Sequence, residues 1–163
     1  MTKKVSVAIL GSTGFVGLEL VKILSKHPNV NITFFGTENN PDKLLKDIDP
    51  SIDLSTNPST ELNENFDSSK VDTVFLALPH GASHKYVKSF YNKVQIIDLS
   101  ADFRLDEIEI YERNYNEKHS APNLLKDFLY GLPEINKNIL SNKKNIAVPG
   151  CYPTSILIPL IPL

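Results

Sequence analysis

Cysteine is almost absent from this chain: Cys151 is the only one in 163 residues. One thiol excludes an intrachain disulfide framework and weighs against a cysteine-rich metal site. It fits a reducing cytoplasm or an organelle matrix, and the cytoplasm is the expected location. No run reaches the roughly 20 apolar residues that a membrane span needs. The N-terminal apolar run, Val5 to Leu10, is too short for a signal-peptide core and ends in a glycine-rich turn. Clustered arginines with interleaved aromatics are missing and the net charge is −2, so no nucleic-acid surface is expected. The histidines, His27, His80, His84 and His119, lack metal-ligand spacing, and no metal is expected. What remains is an ordinary globular composition, 41% hydrophobic and 22% charged, at about the length of one domain.

Val5 to Leu10 reads as a buried parallel strand. Phe15 to Lys26 follows as a helix. Its pattern places Val16, Leu20, Val21, Ile23 and Leu24 on one side, and leaves Glu19, Lys22 and Lys26 for solvent. A second strand covers 31–35. Residues 38–70 are rich in Asn, Asp, Ser, Thr and Pro, and predict loops and short elements. Further strands are expected at 71–78, 94–99 and 145–148. A helix is expected over 82–91 with Tyr86, Val87 and Phe90 inward, helix and loop over 105–129, and a turn at 130–134. This alternation predicts an α/β fold, a mainly parallel sheet with helices on both faces.

Gly11-Ser12-Thr13-Gly14-Phe15-Val16-Gly17 sits between the first strand and the first helix. The spacing G-x-x-G-x-x-G is a variant of the dinucleotide fingerprint. It offers a tight turn, a bare backbone for a pyrophosphate, and helix N–H groups facing the anion. A purely structural βα turn is the competing reading. The adenosine ribose should meet the end of the second strand. There, Thr37 suits a 2′-phosphate and Glu38 a ribose diol, with no arginine nearby, so the residues leave NAD against NADP open. Pro79-His80-Gly81 ends a later strand and is placed to line the nicotinamide half. His27, His84 and His119 read as surface residues.

Cys151 lies in Pro149-Gly150-Cys151-Tyr152-Pro153-Thr154. Gly150 permits a tight turn, and Pro153 suits a first helical turn. A thiol at a helix N-terminus is favoured as thiolate, which is the nucleophilic form. The alternative is a small buried hydrophobe.

Five strings occur in order: the glycine turn, Leu76-Ala77-Leu78-Pro79-His80-Gly81-Ala82-Ser83, Ile97-Asp98-Leu99-Ser100-Ala101-Asp102-Phe103-Arg104-Leu105, Tyr130-Gly131-Leu132-Pro133-Glu134, and the run around Cys151. Together they resemble the N-acetyl-γ-glutamyl-phosphate reductases of arginine biosynthesis, over about the first half of that family's length. Aspartate-semialdehyde dehydrogenases are wider relatives. The resemblance implies a Rossmann-like NAD(P)-binding domain over 1–148 and the start of a catalytic α+β domain at 149–163, the rest of which is missing. It implies NADP(H) held by residues 11–17, Thr37, Pro79, His80 and Gly81. It implies Cys151 as nucleophile toward N-acetyl-γ-glutamyl phosphate, with Ser100 and Arg104 toward that substrate; an ion pair with Asp102 is the alternative for Arg104. The family's acid/base histidine and its oligomer-forming sheet belong to the second domain, so a homo-oligomer is expected of the full-length protein and little turnover of this segment alone. The apolar run Ile156 to Leu163 fits a segment covered by that domain. An aspartate-semialdehyde-dehydrogenase-like enzyme and a non-catalytic NADP(H)-binding module are the competing functions.

Overall fold

Both faces of the first strand are buried. Val7, Ala8, Ile9 and Leu10 of β1 (Val5–Leu10) are all inaccessible, as expected of a central parallel strand. The computed structural model describes residues 3–162. The first two residues of the expected 1–148 domain, and Leu163 at the end of the apolar run, lie outside the described residues. The chain divides into two units. One runs to Leu78 and includes Lys93–Gln95; the other comprises Pro79–Asn92 and the residues from Ile96 onward.

In the first unit β1 is followed by α1 (Phe15–Ser25), β2 (Val30–Thr37), α2 (Leu45–Ile48), β3 (Glu61–Leu62) and β4 (Thr73–Leu76). β1 pairs with β2 from Val5↔Val30 to Ile9↔Phe35, and with β4 from Val7↔Thr73 to Leu10↔Leu76. One face of these strands packs on α1 and α2 through Val7, Ile9, Val21, Phe35, Leu45 and Ile52. The segment 38–70 holds only short elements, as its composition implies: α2, β3 and single 3₁₀ turns at Asn63–Asn65 and Ser68–Lys70.

The orientation of α1 differs from its sequence pattern. Gly17, Val21 and Leu24 follow one another at i, i+4 and i+7 and form the inward stripe, flanked by Leu18 and Leu20. Val16 and Ile23 lie about 100° round from that stripe and are 55% and 65% exposed. Close contact at Gly17 sets this rotation. Lys22, expected in solvent, is half-buried between Glu19 and Asp49, each at 2.8 Å.

The second unit contains α3 (Ser83–Phe90), β5 (Gln95–Asp98, entered from the first unit at Gln95), α4 (Ile108–Tyr115), β6 (Leu129–Tyr130), α5 (Pro133–Leu140), β7 (Asn145–Ala147) and α6 (Cys151–Leu160). Within the first unit the strands are ordered β3-β2-β1-β4 and within the second β5-β7-β6, and each described pairing of named strands is parallel. Residues 130–134, expected as a turn, are instead the end of β6 and the start of α5, with Pro133 at its first position. A two-residue strand and a helix broken by non-helical Asn136 carry too little periodicity to be read beforehand. Among the described residues no helix is long and apolar enough to cross a membrane.

A Cβ on Gly17 would fall directly on the Gly11 carbonyl oxygen and within 2.8 Å of Ser12 Cα. Both obstacles are backbone. Gly17→Ala is therefore expected to cost about 2–3 kcal/mol, as overpacking does. The readout is a lower urea midpoint at unchanged slope; an unchanged midpoint contradicts this packing.

Candidate functional site

The glycine turn in the first unit has one glycine for each of three tasks. Gly11 has φ +79, and a Cβ there would meet the Ala77 carbonyl oxygen. Gly17 brings α1 against the turn. Gly14 is the N-cap of α1 and its Cβ position is open, with only Gly11 O at 3.6 Å. No side chain caps α1, so the donors of its first turn are left to an external acceptor. Phe15 and Val16 flank them and are exposed. The open cradle and the uncapped donors fit a pyrophosphate.

The turn is tied to the end of β2 by side chains. Ser12 is buried, and its N–H and hydroxyl both donate to Gly36 O, at 2.7 and 2.9 Å. The hydroxyls of Thr13 and Thr37 meet at 2.9 Å, and Thr37 Oγ1 also accepts the Asn40 N–H. Asn63, 1% exposed, accepts the Gly11 N–H at 3.1 Å and donates to Glu38 Oε2 at 3.0 Å. The structure thus brings residues 11–17 and Thr37 together. Asn63 had no signal in its polar surroundings.

In the second unit Asp102 and Asp98 organise the site, and both are fully buried. Asp102 accepts the Gly81 N–H at 2.7 Å and the Ser83 N–H at 3.0 Å, which places a carboxylate at the N-terminus of α3. His80 Nδ1 donates to Asp102 Oδ1 at 2.9 Å, which leaves Nε2 within 3.3 Å of both Glu117 Oε2 and the Tyr111 hydroxyl. Asp98 accepts from Ser83 Oγ, Ser100 N and Ser100 Oγ, and Ser100 Oγ accepts the Asp102 N–H. The strings 76–83 and 97–105 therefore converge on one hydrogen-bond network. Ser100 is 4% exposed and its hydroxyl is engaged on both sides.

His84 and His119 are not surface residues, contrary to expectation: they are 4% and 5% exposed. They join Phe103 and Tyr111 in an aromatic core, with the two imidazole centroids 4.0 Å apart. His119 Nδ1 accepts the Ala121 N–H, so its proton is on Nε2, which donates to the Asp102 carbonyl. Burial lowers the pKa of both histidines, and for His119 the neighbouring His84 adds to it. Burial likewise raises the Tyr111 phenol. His119 stands in a polar stretch without a period, whereas His84 lies one turn before Val87 on the inward side of α3, where the helical spacing was the available signal. Among the described residues no group of three or more His, Cys, Asp and Glu is arranged to hold a metal ion.

Cys151 is the first residue of α6, with Gly150 as N-cap and no capping side chain, and it is exposed. Within the described residues it is not buried. Arg104 Nε donates to Val148 O and Nη2 to Leu99 O, both at 2.8 Å, while Nη1 lies 3.0 Å from where a Gly150 Cβ would stand. A guanidinium is thereby fixed beside the turn that presents the thiol.

Burial pushes the Asp98 carboxyl up to about 6 from 3.8, against the hydrogen bonds from Ser100 and Ser83 that favour its charged form. A carboxyl raised in the folded state stabilises fully below its unfolded pKa, and that contribution is lost as pH rises through the folded one. About two pH units correspond to about 3 kcal/mol. Urea midpoints taken from pH 4 to 7 should therefore show the stability gap between wild type and Asp98→Asn moving in favour of the variant as pH rises. A gap that is flat across this window contradicts the assignment.

The family model "Semialdehyde dehydrogenase, NAD binding domain" matches residues 6–143. An N-acetyl-gamma-glutamyl-phosphate reductase of Ehrlichia chaffeensis is 47% identical over 166 residues, covering all of this chain and 47% of the relative. Aspartate semialdehyde dehydrogenase II of Vibrio cholerae, complexed with ASA, superposes with a TM-score of 0.74 at 23% identity, over 98% of this chain and 46% of that one. Aspartate semialdehyde dehydrogenase of Candida albicans, solved with NADP, gives 0.68 at 19%, with the same coverage. These two structures share the fold. The chain spans about half the length of the curated relatives it matches.

Proposed function

Because the chain belongs to the semialdehyde dehydrogenase family through its NAD-binding domain, we propose that it forms the dinucleotide-binding and nucleophile-bearing part of an N-acetyl-γ-glutamyl-phosphate reductase. The observation that carries the chemistry is the exposed Cys151 at the uncapped N-terminus of the ten-residue helix α6. The five ordered strings and the Ehrlichia relative support the choice of substrate.

In this reading the Cys151 thiolate attacks the acyl carbon of N-acetyl-γ-glutamyl phosphate. The Sγ–C bond forms, the C–O bond to phosphate breaks, and inorganic phosphate leaves with the electron pair. Backbone N–H groups of the first turn of α6 stabilise the oxyanion of the tetrahedral intermediate. Arg104, held by two carbonyls, presents Nη1 as the cation for the substrate's phosphate or carboxylate. Ser100 serves the substrate through its position between Asp98 and Asp102. The bound dinucleotide supplies hydride for the thioester carbon. The resulting thiohemiacetal expels the thiolate and releases N-acetylglutamate 5-semialdehyde. The acid/base group is assigned to a second domain.

Residues 11–17, Thr37, Pro79, His80 and Gly81 are the proposed dinucleotide contacts. NADPH is the donor that the family resemblance carries, and Candida albicans aspartate semialdehyde dehydrogenase is solved with NADP. We place the protein in the cytoplasm, in arginine biosynthesis, and as a homo-oligomer assembled through the catalytic domain.

The test uses the chain within a polypeptide of the relatives' full length. It should reduce N-acetyl-γ-glutamyl phosphate and leave aspartyl phosphate largely unreacted. Cys151→Ser should lower kcat at least about a thousandfold, as loss of a nucleophile does. Preference for aspartyl phosphate moves the enzyme to the neighbouring branch, and full activity of the serine variant refutes the mechanism.

A further inference from the structure

One side of β2 is open along most of its length. β3 pairs only with Gly36 and Thr37, so among the described residues no strand covers Val30 to Phe35 on that side. The Val5 N–H donates to Asn29 O at 2.8 Å, and Val5 is in register with Val30. In a parallel ladder this turns the backbone groups of Asn31 toward β1 and those of Ile32 toward the open side. A sheet edge of this kind is a template for another chain.

Two clefts, of about 500 and about 250 Å³, flank the edge and share Thr33 and Glu61. Ile32 and Phe35 line the larger one, with Leu24 and Leu54. Phe34 points to the opposite face, as the next residue along a strand does, and lines the smaller one with Phe66, their ring centroids 5.3 Å apart. Residues 54–59 form the far wall of the larger cleft. That wall is tied to α2: the Leu45 N–H donates to Pro58 O at 3.1 Å and the Lys46 N–H to Asn57 Oδ1 at 3.3 Å. Two exposed charges of opposite sign border this cleft, Lys4 beside the start of β2 and Glu61 beside its end.

We infer that this edge docks an extended peptide of a partner protein, added as one strand with an acidic residue at the Lys4 end and a basic residue at the Glu61 end. Main-chain bonds to Ile32 hold the peptide, and the two clefts take its alternate side chains. The uncovered stretch, Val30 to Phe35, matches a peptide of about six residues at roughly 3.3 Å each. The floor of Leu24, Ile32, Phe35 and Leu54 selects aliphatic side chains on that face. Two features oppose a second copy of this chain. The wall at 54–59 faces the edge across the cleft. Thr33, the extra residue between the β1-paired Ile32 and Phe34, interrupts the flat run that sheet-to-sheet pairing needs.

The probe is a capped hexapeptide with aspartate at one end, lysine at the other and alternating valine and threonine between, made in both sequence orders. It is titrated into the intact protein by calorimetry, with amide hydrogen exchange locating the contact. At least one order should bind and slow exchange of the Ile32 N–H at least about tenfold. N-methylation of the peptide amides should abolish binding. Lys4→Glu alters an exposed side chain and should keep the wild-type urea midpoint. It should weaken binding about threefold, the size of one surface ion pair, and a peptide with lysine at both ends should recover the loss. Failure of both orders to bind, equal binding of the N-methylated peptide, or binding that leaves Ile32 exchange or the Lys4→Glu affinity unmoved overturns the inference. Protection of Ile32 that grows with protein concentration alone gives the edge to a second copy and overturns it as well.

Discussion

The second unit depends on one buried carboxylate. Asp102 has no access to water, and its oxygens take N–H donors from Gly81, Ser83 and His80. Burying an unpaired charge costs several kcal/mol; several donors aimed at it offset that cost. Its backbone is used as well, the N–H by Ser100 and the carbonyl by His119. Loop 79–83, the end of β5 and the aromatic core around Tyr111 therefore share one residue. Such a network is rigid when complete and costly when one member is lost. His84 and His119 supply little positive charge, because burial holds them toward neutral. The N–H groups at the start of α3 and the Nδ1–H of His80 are left to balance Asp102.

The first unit solves a different problem, how to bare a backbone without loosening it. Gly11 and Gly17 are fixed by backbone contacts, while Gly14 stays open. Ser12 and Asn63 then anchor the turn to β2 and to the 3₁₀ segment from polar positions. The bareness is confined to the part where an anion would approach, and the side chains of Ser12, Thr13, Thr37 and Asn63 around it are hydrogen-bonded within the unit.

Features carried by neighbours in sequence were legible beforehand. The strand, glycine turn and helix at 5–25 are an example, as is the helix start at Cys151, where each signal lies within a few residues. Features carried by distant partners were not. Asp98 and Asp102 stand in one short string, but Gly81 and Ser83, which donate to them, lie 15 to 21 positions away. Asn63 reaches Gly11 across 52 positions. His119 looks polar and exposed until the core that encloses it is assembled. The inward face of α1 does not show in its hydrophobic pattern, because Gly17 adds no hydrophobicity yet sets the rotation through close approach.

These arrangements make Cys151 the point on which the chemical account turns: an exposed thiol at an uncapped helix start, with Arg104 braced beside it. The most direct measurement is trapping of the covalent intermediate. Intact protein mixed with N-acetyl-γ-glutamyl phosphate, without dinucleotide, is quenched and examined by peptide mass spectrometry. The account predicts an N-acetylglutamyl adduct on the Cys151 peptide, with stoichiometric release of phosphate. Phosphate release without an adduct, or an adduct on another residue, would contradict it.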